Sequence, residues 1–268
     1  MRYSALAPGK RLRPVLCLAA CEAVGGSIED ALDAACALEM VHVFSLIHDD
    51  LPAIDNDQLR RGLPTCHVKF GEATAILAGD ALLALAFEVM SGPPSPSGRG
   101  GWGERETARA SLLCVRSLAT ALGSDGLVAG EIVDVLSEGK AVDHATLEYI
   151  HSRKTGALIA ASCEIGATLG GADEATVTGM RRFGAWVGLA FQVADDILNE
   201  TSSAEALGKA AGTDRSRGKA TYPALHGLDG ARHAAAAFVE IAVDSLPSKL
   251  ADRELLLHLA QYAVERTS

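Results

Sequence analysis

The chain has 268 residues, enough for one large or two small domains, and 49% of them are hydrophobic. Only 4% are aromatic while Ala and Leu are frequent, which favours a helical core because strands prefer aromatic and β-branched residues. The formal net charge of −10 argues against a nucleic-acid partner, since binding such a partner requires a basic face. An acidic protein can still bind an anionic substrate where its basic residues are local.

Several features of the sequence bear on the cellular location of the protein. No signal peptide precedes the first helix, and no uninterrupted apolar run is long enough to span a bilayer. The six cysteines form no Cys-x-x-Cys pair and occur in apolar settings, which predicts buried free thiols in a reducing compartment. We therefore expect a cytoplasmic protein without stable membrane association.

The first motif of the chain is basic, with Lys10, Arg11 and Arg13 within four residues directly after Gly9. Such a turn can bind an anion, and a solvated basic turn is an equal alternative. A helix over about 14–24 follows, and the next helix begins after Ser27, with Asp30 as a weak capping-box partner.

This second helix is apolar and ends in a dense group of charges. The charged side chains of this stretch are Asp49, Asp50, Asp55, Asp57, Arg60 and Arg61, and Pro52 disturbs the helix among them. Carboxylates this close repel one another unless a cation lies between them, and Mg²⁺ is usually bound by a few carboxylates together with substrate phosphates. Arginine suits the phosphate through two parallel hydrogen bonds. The alternative is a solvated acidic junction, because charge runs usually face water.

The rest of the chain reads as helices joined by loops. Helices are predicted over 71–90, 126–134, 144–170, 174–199, 229–246 and 250–265. The glycines in 126–134 can permit close helix packing. Residues 91–103 form a flexible connection rich in Pro and Gly, and the polar stretch 200–222 has the length of a functional lid. No segment shows convincing strand alternation or a fixed-period repeat, so an all-α bundle is expected.

A second acidic motif occurs where the helix 174–199 ends. Gln192 lies one turn before Asp195 and Asp196, and Asn199 lies one turn after them. Two such motifs can face each other across a bundle and hold several Mg²⁺ around one diphosphate. Between them, the run from Arg153 to Gly156 is locally unfavourable in a helix, which suggests a function for it.

With these motifs, the sequence resembles the trans-isoprenyl diphosphate synthases of the polyprenyl synthetase family, and most of all the bacterial farnesyl diphosphate synthases. The resemblance extends along nearly the whole chain and implies one domain over 1–268, with a short or missing N-terminal helix. It further implies an isoprenoid-synthase-type helical bundle around a deep central cavity, assembled as a homodimer. The implied reaction condenses isopentenyl diphosphate with an allylic diphosphate, dimethylallyl or geranyl, to farnesyl diphosphate.

The resemblance also implies roles for individual residues. The implied ligands of Mg²⁺, three ions per site with Mn²⁺ as an alternative, are Asp49, Asp50, Asp55, Asp195, Asp196 and Asn199. Isopentenyl diphosphate is implied to bind Lys10, Arg13, His42 and Arg61. The allylic diphosphate is implied to bind Arg60, Lys154, Thr155, Gln192, Lys209 and Lys219. Three residues depart from the family pattern, since Pro8 replaces a glycine, Asn199 an aspartate and Glu131 a glutamine.

Product length is assigned to Phe44 and Ser45. Phe44 lies five residues before Asp49, about 7–8 Å deeper along the helix. A ring at this depth should stop chain growth. The resemblance implies the fifteen-carbon product, because in the family an aromatic residue here accompanies that product when four residues separate Asp50 from Asp55. The alternative is that Phe44 packs against a neighbouring helix. The rival functions are a geranylgeranyl diphosphate synthase, a non-catalytic synthase subunit, a terpene cyclase and a metal-binding scaffold without a reaction.

Overall fold

The computed structural model describes residues 1–92, 104–201 and 219–265, and these ranges are almost entirely helical. The first six helices are α1 Arg2–Ala5, α2 Leu12–Ala23, α3 Ile28–Asp49, α4 Cys66–Phe70, α5 Glu72–Ser91 and α6 Glu104–Leu122. The other six are α7 Leu127–Ser137, α8 His144–Ile150, α9 Ala157–Leu169, α10 Glu174–Thr201, α11 Tyr222–Ser245 and α12 Glu254–Glu265. The predicted all-α fold is therefore confirmed.

Two strands that the sequence does not reveal form a small hairpin after α3. The strand β1 covers Leu59–Arg60 and pairs antiparallel with β2, Leu63–Pro64. Arg61 and Gly62 form the turn with φ values of 54° and 76°, as a two-residue type I′ turn requires. Strands of two residues are too short to show an alternating pattern, which explains why the sequence does not predict them.

Two clusters of buried side chains form most of the core, and both include residues of α2 and α9. One cluster joins these helices to α3 and α6 through residues such as Leu38, Leu118 and Leu158. The other joins them to α10 and α12 through residues such as Phe183 and Leu256. Because α2 and α9 hold both clusters, they fix the carboxyl-terminal ends of α3 and α10 relative to each other.

The ends of α3 follow the predicted signals. The Ser27 backbone N–H donates to Asp30 Oδ2 at 2.9 Å, so the capping box is present. The helix ends at Asp49, and the Asp55 backbone N–H then donates to the Asp49 carbonyl oxygen at 2.8 Å. Pro52 lies three residues after this end and cannot donate a helical hydrogen bond. The chain therefore turns back and places Asp55 near the last turn of α3.

The predicted helix 144–170 is interrupted. Residues His151–Gly156 form a π-helical segment between α8 and α9. Such segments are rare and frequently coincide with functional sites. The locally unfavourable run that includes Lys154 and Thr155 lies inside it. A second irregularity is the kink at Gly227 in α11, where φ is 71°.

Three helical stretches have the length and hydropathy of membrane-spanning helices, contrary to the expectation from sequence. They are α3, α5 and the stretch Glu104–Ser137, which contains α6 and α7. The criterion concerns length and composition alone. Within the bundle, the apolar windows of these stretches are 56%, 33% and 44% buried, respectively.

The cysteines follow the prediction with one exception. All six are free, and five are buried. Cys36 is exposed on α3, so the prediction of a buried thiol is wrong at that position. Burial raises the pKa of Cys114 and of Cys163 to about 12, so both thiols stay protonated and pack as small apolar groups.

Close helix packing at Gly130 determines where the π-helical segment lies. A Cβ at Gly130 would come within 2.2 Å of the Lys154 backbone nitrogen. The glycine therefore lets α7 approach the backbone of Lys154 directly, which confirms the predicted use of a glycine for close packing.

We expect Gly130→Ala to destabilise the protein by about 2 kcal/mol or more, because backbone atoms cannot move away as a flexible side chain can. A glycine-to-alanine change in an ordinary helix would instead stabilise it by roughly 0.5–1 kcal/mol. Denaturant unfolding measures the difference, with Val128→Ala on the exposed side of α7 as the control. A more stable Gly130→Ala variant would contradict the close contact.

Candidate active site

A cavity of about 790 Å³ lies between the ends of α3 and α10, the hairpin, α7 and the π-helical segment. Most of the residues that the sequence assigned to a site line it: Lys10, Arg13, His42, Ser45, Asp49, Asp55, Arg60, Arg61, Lys154, Thr155, Gln192, Asp195, Asp196, Asn199 and Lys219. Asp50 and Phe44 are absent from this lining. Lys209 lies outside the described residues.

Asp50 and Arg60 bind each other in the first acidic motif. Arg60 Nε donates to Asp50 Oδ1 at 2.5 Å, and Arg60 Nη2 donates to Asp57 Oδ2 at 3.3 Å. Asp50 is only 3% exposed, and burial raises the pKa of its carboxyl to about 6 although Arg60 lowers it. Two residues assigned to metal and phosphate thus form a buried ion pair that fixes the hairpin to the end of α3.

Asp49 has an environment that disfavours its charge. Burial and the nearby carboxylate of Glu131 raise the pKa of Asp49 to about 7, although Lys154 and Arg60 act in the opposite direction. An ionised carboxylate at this position is stabilised by a further cation. Glu131, the departure from the family pattern, therefore does contribute its charge to the site.

Two lysines lie among the carboxylates. Lys154 Nζ lies 2.6 Å from Asp134 Oδ2 and 2.8 Å from Glu131 Oε2. Lys219 Nζ lies 3.0 Å from Asp55 Oδ1 and 3.3 Å from the same oxygen of Asp134. Burial alone would raise the pKa of Asp134, but the two lysines outweigh it and lower that pKa. Asp134 therefore holds both ammonium groups at one side of the cavity.

The opposite side of the cavity is basic. Arg13 is buried, and burial lowers the pKa of its guanidinium to about 10, although Glu39 and Asp195 raise it. Its Nε has no hydrogen-bond partner among the described residues. Burial and the charge of nearby arginines, above all Arg13, lower the pKa of His42, so its imidazole is neutral. An anion would supply the missing partner for Arg13.

The loop before α2 fits against the hairpin turn. A Cβ at Gly9 would lie 2.1 Å from Arg61 Nη1, so the glycine makes room for the guanidinium. Arg11 pairs with Glu39 and donates to the Ala7 carbonyl oxygen at 2.5 Å. Arg11 thus holds the loop in place, and all three cations of the basic motif, Lys10, Arg11 and Arg13, line the cavity.

The second acidic motif shows the spacing that the sequence predicts. Thr155 Oγ1 donates to Gln192 Oε1 at 2.6 Å, and Gln192 Nε2 donates to Asp196 Oδ1 at 3.1 Å. Asp196 is 4% exposed, whereas Asp195 is half-buried. The predicted one-turn relation between Gln192 and Asp196 is therefore a direct hydrogen bond that also reaches the π-helical segment.

Sequence reasoning did not assign Asp134 and His151, which line the cavity, or Tyr222, which packs against His151 behind it. The position of Asp134, three residues after Glu131 on α7, could have indicated it, because residues three apart share a helix face. His151 and Tyr222 are brought together only by the packing of α11, which sequence spacing does not show.

The donor set fits Mg²⁺. It consists of carboxylate oxygens with one amide at the ends of two facing helices, and hard divalent ions prefer oxygen ligands. Within the described residues, no three His, Cys, Asp or Glu side chains form a metal site by themselves. Several of the carboxylates are paired with cations instead, as Asp50 is with Arg60, Asp134 with Lys154 and Asp55 with Lys219.

Comparison with known proteins agrees with this geometry. The model of the polyprenyl synthetase family matches residues 1–256. The chain is 47% identical over 270 residues to heterodimeric geranylgeranyl pyrophosphate synthase large subunit 1 of Arabidopsis thaliana. The matched segment covers 99% of this chain and 71% of that protein. The chain is 52% identical over 237 residues to the chloroplastic geranylgeranyl pyrophosphate synthase of Capsicum annuum. This match covers 88% of this chain and 62% of that protein.

Solved structures are similar over nearly the whole chain. An FPP/GFPP synthase from Zymomonas mobilis gives a TM-score of 0.84 at 37% identity, covering 98% of this chain and 86% of that one. The geranyltransferase of Helicobacter pylori, complexed with magnesium and isoprenyl diphosphate, gives a TM-score of 0.83 at 32% identity. That match covers 98% of this chain and 84% of the other. The isoprenoid-synthase-type bundle is thereby shown.

We expect Asp49→Asn to raise the thermal stability of the metal-free protein, and to do so more at pH 8 than at pH 5. The pKa of Asp49 is raised from 3.8 to about 7, so the folded state binds an extra proton between these values. By linkage, the wild-type protein loses stability as pH rises through this window. The gain at pH 8 should be about 1 kcal/mol or more, which corresponds to roughly 2–4 °C.

Thermal unfolding in EDTA at the two pH values measures this gain. The exposed Asp33→Asn on the same helix is the matched control and should show no such pH dependence. A gain that is equal at both pH values would mean that the Asp49 carboxylate is not held in an unfavourable environment.

Proposed function

The chain belongs to the polyprenyl synthetase family, and we propose that it condenses isopentenyl diphosphate with allylic diphosphates to make geranylgeranyl diphosphate. One observation carries the proposal, namely that a single cavity has two separate sets of cations. Lys154 and Lys219 lie among the carboxylates, while Arg13 and Arg61 lie on the opposite side. Two sets are expected where two diphosphates bind at once.

The first step breaks the carbon–oxygen bond between the allylic chain and its diphosphate. Lys154 and Lys219 stabilise the negative charge that develops on the departing group, as preplaced cations do in many enzymes. Both ammonium groups contact Asp134 in the structure, so they are oriented before the substrate arrives. When bound, Mg²⁺ would be held by the aspartates of the two motifs and would add Lewis-acid stabilisation of the same charge.

The second step forms a carbon–carbon bond, because the double bond of isopentenyl diphosphate attacks the allylic carbocation. Arg13 and Arg61 bind the diphosphate of this substrate and set its orientation, and neutral His42 lines the same side. A proton then leaves the new chain, and the released diphosphate is the base that accepts it. Apolar lining residues, including Leu46 and Phe191, exclude water that would quench the cation.

Two arguments support the twenty-carbon product over the farnesyl product expected from sequence. The plant relatives described above are named as geranylgeranyl pyrophosphate synthases, and about half of the residues in the matched segments are identical to this chain. In addition, Phe44 packs against the core clusters and against the His48 ring, at 4.8 Å between centroids. Ser45 lines the cavity instead, and its hydroxyl donates to the His42 carbonyl oxygen at 2.9 Å. The floor at this depth is thus a small side chain.

Farnesyl diphosphate stays the second candidate. Phe44 is adjacent to the lining residue Ser45, and one solved relative is an FPP/GFPP synthase. A homodimer is proposed as well. It is supported by the large exposed apolar side chains of α5 and α6, among them Leu77 at 66% and Leu112 at 68% exposure.

An assay with isopentenyl and dimethylallyl diphosphates, with Mg²⁺ or with EDTA, tests the reaction. We expect longer prenyl diphosphates only with Mg²⁺, identified by chromatography after removal of the phosphates. A cyclase would instead release hydrocarbons from an allylic diphosphate alone. A non-catalytic subunit or a metal-binding scaffold would give no product, and that result would refute the proposal.

Ser45→Phe tests the product length. We expect it to shift the main product from twenty to fifteen carbons, because the new ring would project into the cavity at the depth where Ser45 now lies. Phe44→Ala is the matched control and should leave the main product at twenty carbons. A wild-type enzyme that stops at fifteen carbons, together with longer products from Phe44→Ala, would establish Phe44 as the floor.

A further inference from the structure

Glu131 lies on the acidic side of the cavity, at a position where the family pattern has a glutamine. Its side chain is 12% exposed, and its Oε2 lies 2.8 Å from Lys154 Nζ. Neither carboxylate oxygen accepts a hydrogen bond of good geometry from the part of the chain that the structure describes. The ion pair with Lys154 is therefore the described contact that compensates the charge of this carboxylate.

Lys154 does not need Glu131 in order to be paired. Its Nζ also donates a hydrogen bond to Asp134 Oδ2 at 2.6 Å. Burial would lower the pKa of Lys154, but the charges of Asp134, Glu131 and Asp49 outweigh burial and raise that pKa. The ammonium group is therefore held between two carboxylates, one of which a glutamine would replace with a neutral amide.

Contact between Lys154 and a diphosphate has a cost that depends on Glu131. If the ammonium group turns toward phosphate oxygens, Glu131 loses its compensating charge while it stays largely buried. A buried carboxylate without a partner is strongly unfavourable, and its charge repels the incoming anion. Burial and the charge of Glu131 already raise the pKa of Asp49. A divalent ion at the first acidic motif would offset these effects, and a glutamine at position 131 would not produce them.

We propose that Glu131 is a positioning residue that holds Lys154 in the metal-free site and so makes diphosphate binding depend more strictly on Mg²⁺. With glutamine in its place, Lys154 would keep its contact with Asp134 but would bind an anion more readily without metal. This role rests on the proposed function, because it assumes that the allylic diphosphate binds at Lys154. It assigns part of the metal requirement to a residue in which this chain departs from the family pattern.

Calorimetry with inorganic diphosphate tests this role without any turnover. In EDTA, we expect Glu131→Gln to bind diphosphate about fivefold more tightly than wild type, which is the size expected for one partly exposed ion pair. At saturating Mg²⁺ the two proteins should differ by less than about twofold. By linkage, the Mg²⁺ concentration needed for half-maximal diphosphate binding should then fall by about threefold or more in the variant.

Two further variants serve as controls. Glu138→Gln removes a charge from the residue that follows α7, but Glu138 Oε1 lies 3.9 Å from Lys219 Nζ and the side chain is 34% exposed, so solvent screens it. This control should leave diphosphate binding in EDTA and the Mg²⁺ requirement within about twofold of wild type. Glu131→Asp keeps the charge and should lie closer to wild type than Glu131→Gln does in both measurements.

A double-mutant cycle with Lys154→Ala tests whether Glu131 acts through Lys154. In the Lys154→Ala background, Glu131→Gln should change neither the affinity in EDTA nor the Mg²⁺ requirement by more than about twofold, since coupled residues are not additive. Equal effects in both backgrounds would mean that Glu131 only repels the anion, and this result would overturn the proposal. A higher Mg²⁺ requirement in Glu131→Gln would overturn it as well, because it would make Glu131 a metal ligand.

The Mg²⁺ requirement decides the case in which neither wild type nor Glu131→Gln binds diphosphate measurably in EDTA. A lower requirement in the variant supports the role of Glu131, and an unchanged requirement refutes it. A wild-type protein that binds no diphosphate even with Mg²⁺ would instead refute the proposed function itself.

Discussion

The site depends on Asp134, the carboxylate that two partly buried lysines share. Lys154 comes from the π-helical segment and Lys219 from the residues before α11, yet both ammonium groups lie within 3.3 Å of Asp134 Oδ2. Two like charges this close are unfavourable in a protein interior unless an opposite charge lies between them. Asp134 supplies that charge and comes from α7, so three separate parts of the chain converge on one oxygen.

The same constraint explains the rest of the cavity. Among the carboxylates at the end of α3, Asp50 is paired with Arg60, and Asp49 carries a raised pKa. The remaining imbalance is local. On the acidic side, burial and Glu131 disfavour the charge of Asp49, and on the basic side Arg13 Nε has no hydrogen-bond partner among the described residues. A substrate that brings phosphates together with divalent ions satisfies both sides at once. The charges that line the cavity therefore limit which ligands can bind as much as its volume does.

Most of the fold and most of the site could be predicted from sequence, for identifiable reasons. Helix boundaries followed capping residues and prolines, as at Ser27 and Pro52, because these signals act within a few residues. The acidic motifs were visible because their members are close in sequence. The pairing of Asp50 with Arg60 was not visible in the sequence, because it depends on the hairpin, whose strands are only two residues long.

Other features could not be read locally. The depth of Phe44 along α3 follows from the helical rise alone. Whether Phe44 or Ser45 faces the cavity depends on how α3 is rotated against α5, and sequence spacing does not fix that rotation. For the same reason His151 and Tyr222 escaped notice: they lie far apart in the chain and meet only because α11 packs on α10.

The π-helical segment has a consequence for how this region tolerates insertions and deletions. A π turn contains one more residue than an α turn would, so deleting one residue from 151–156 would restore a regular helix and make its hydrogen bonding more favourable. The same deletion would rotate α8 by about 100° relative to α9. If the deleted residue is Gly156, Lys154 and Thr155 rotate with α8 and turn away from the cavity, so a more regular helix would be an inactive one. Selection for the reaction therefore has to maintain a locally less stable backbone, and length changes here should be far less tolerated than substitutions.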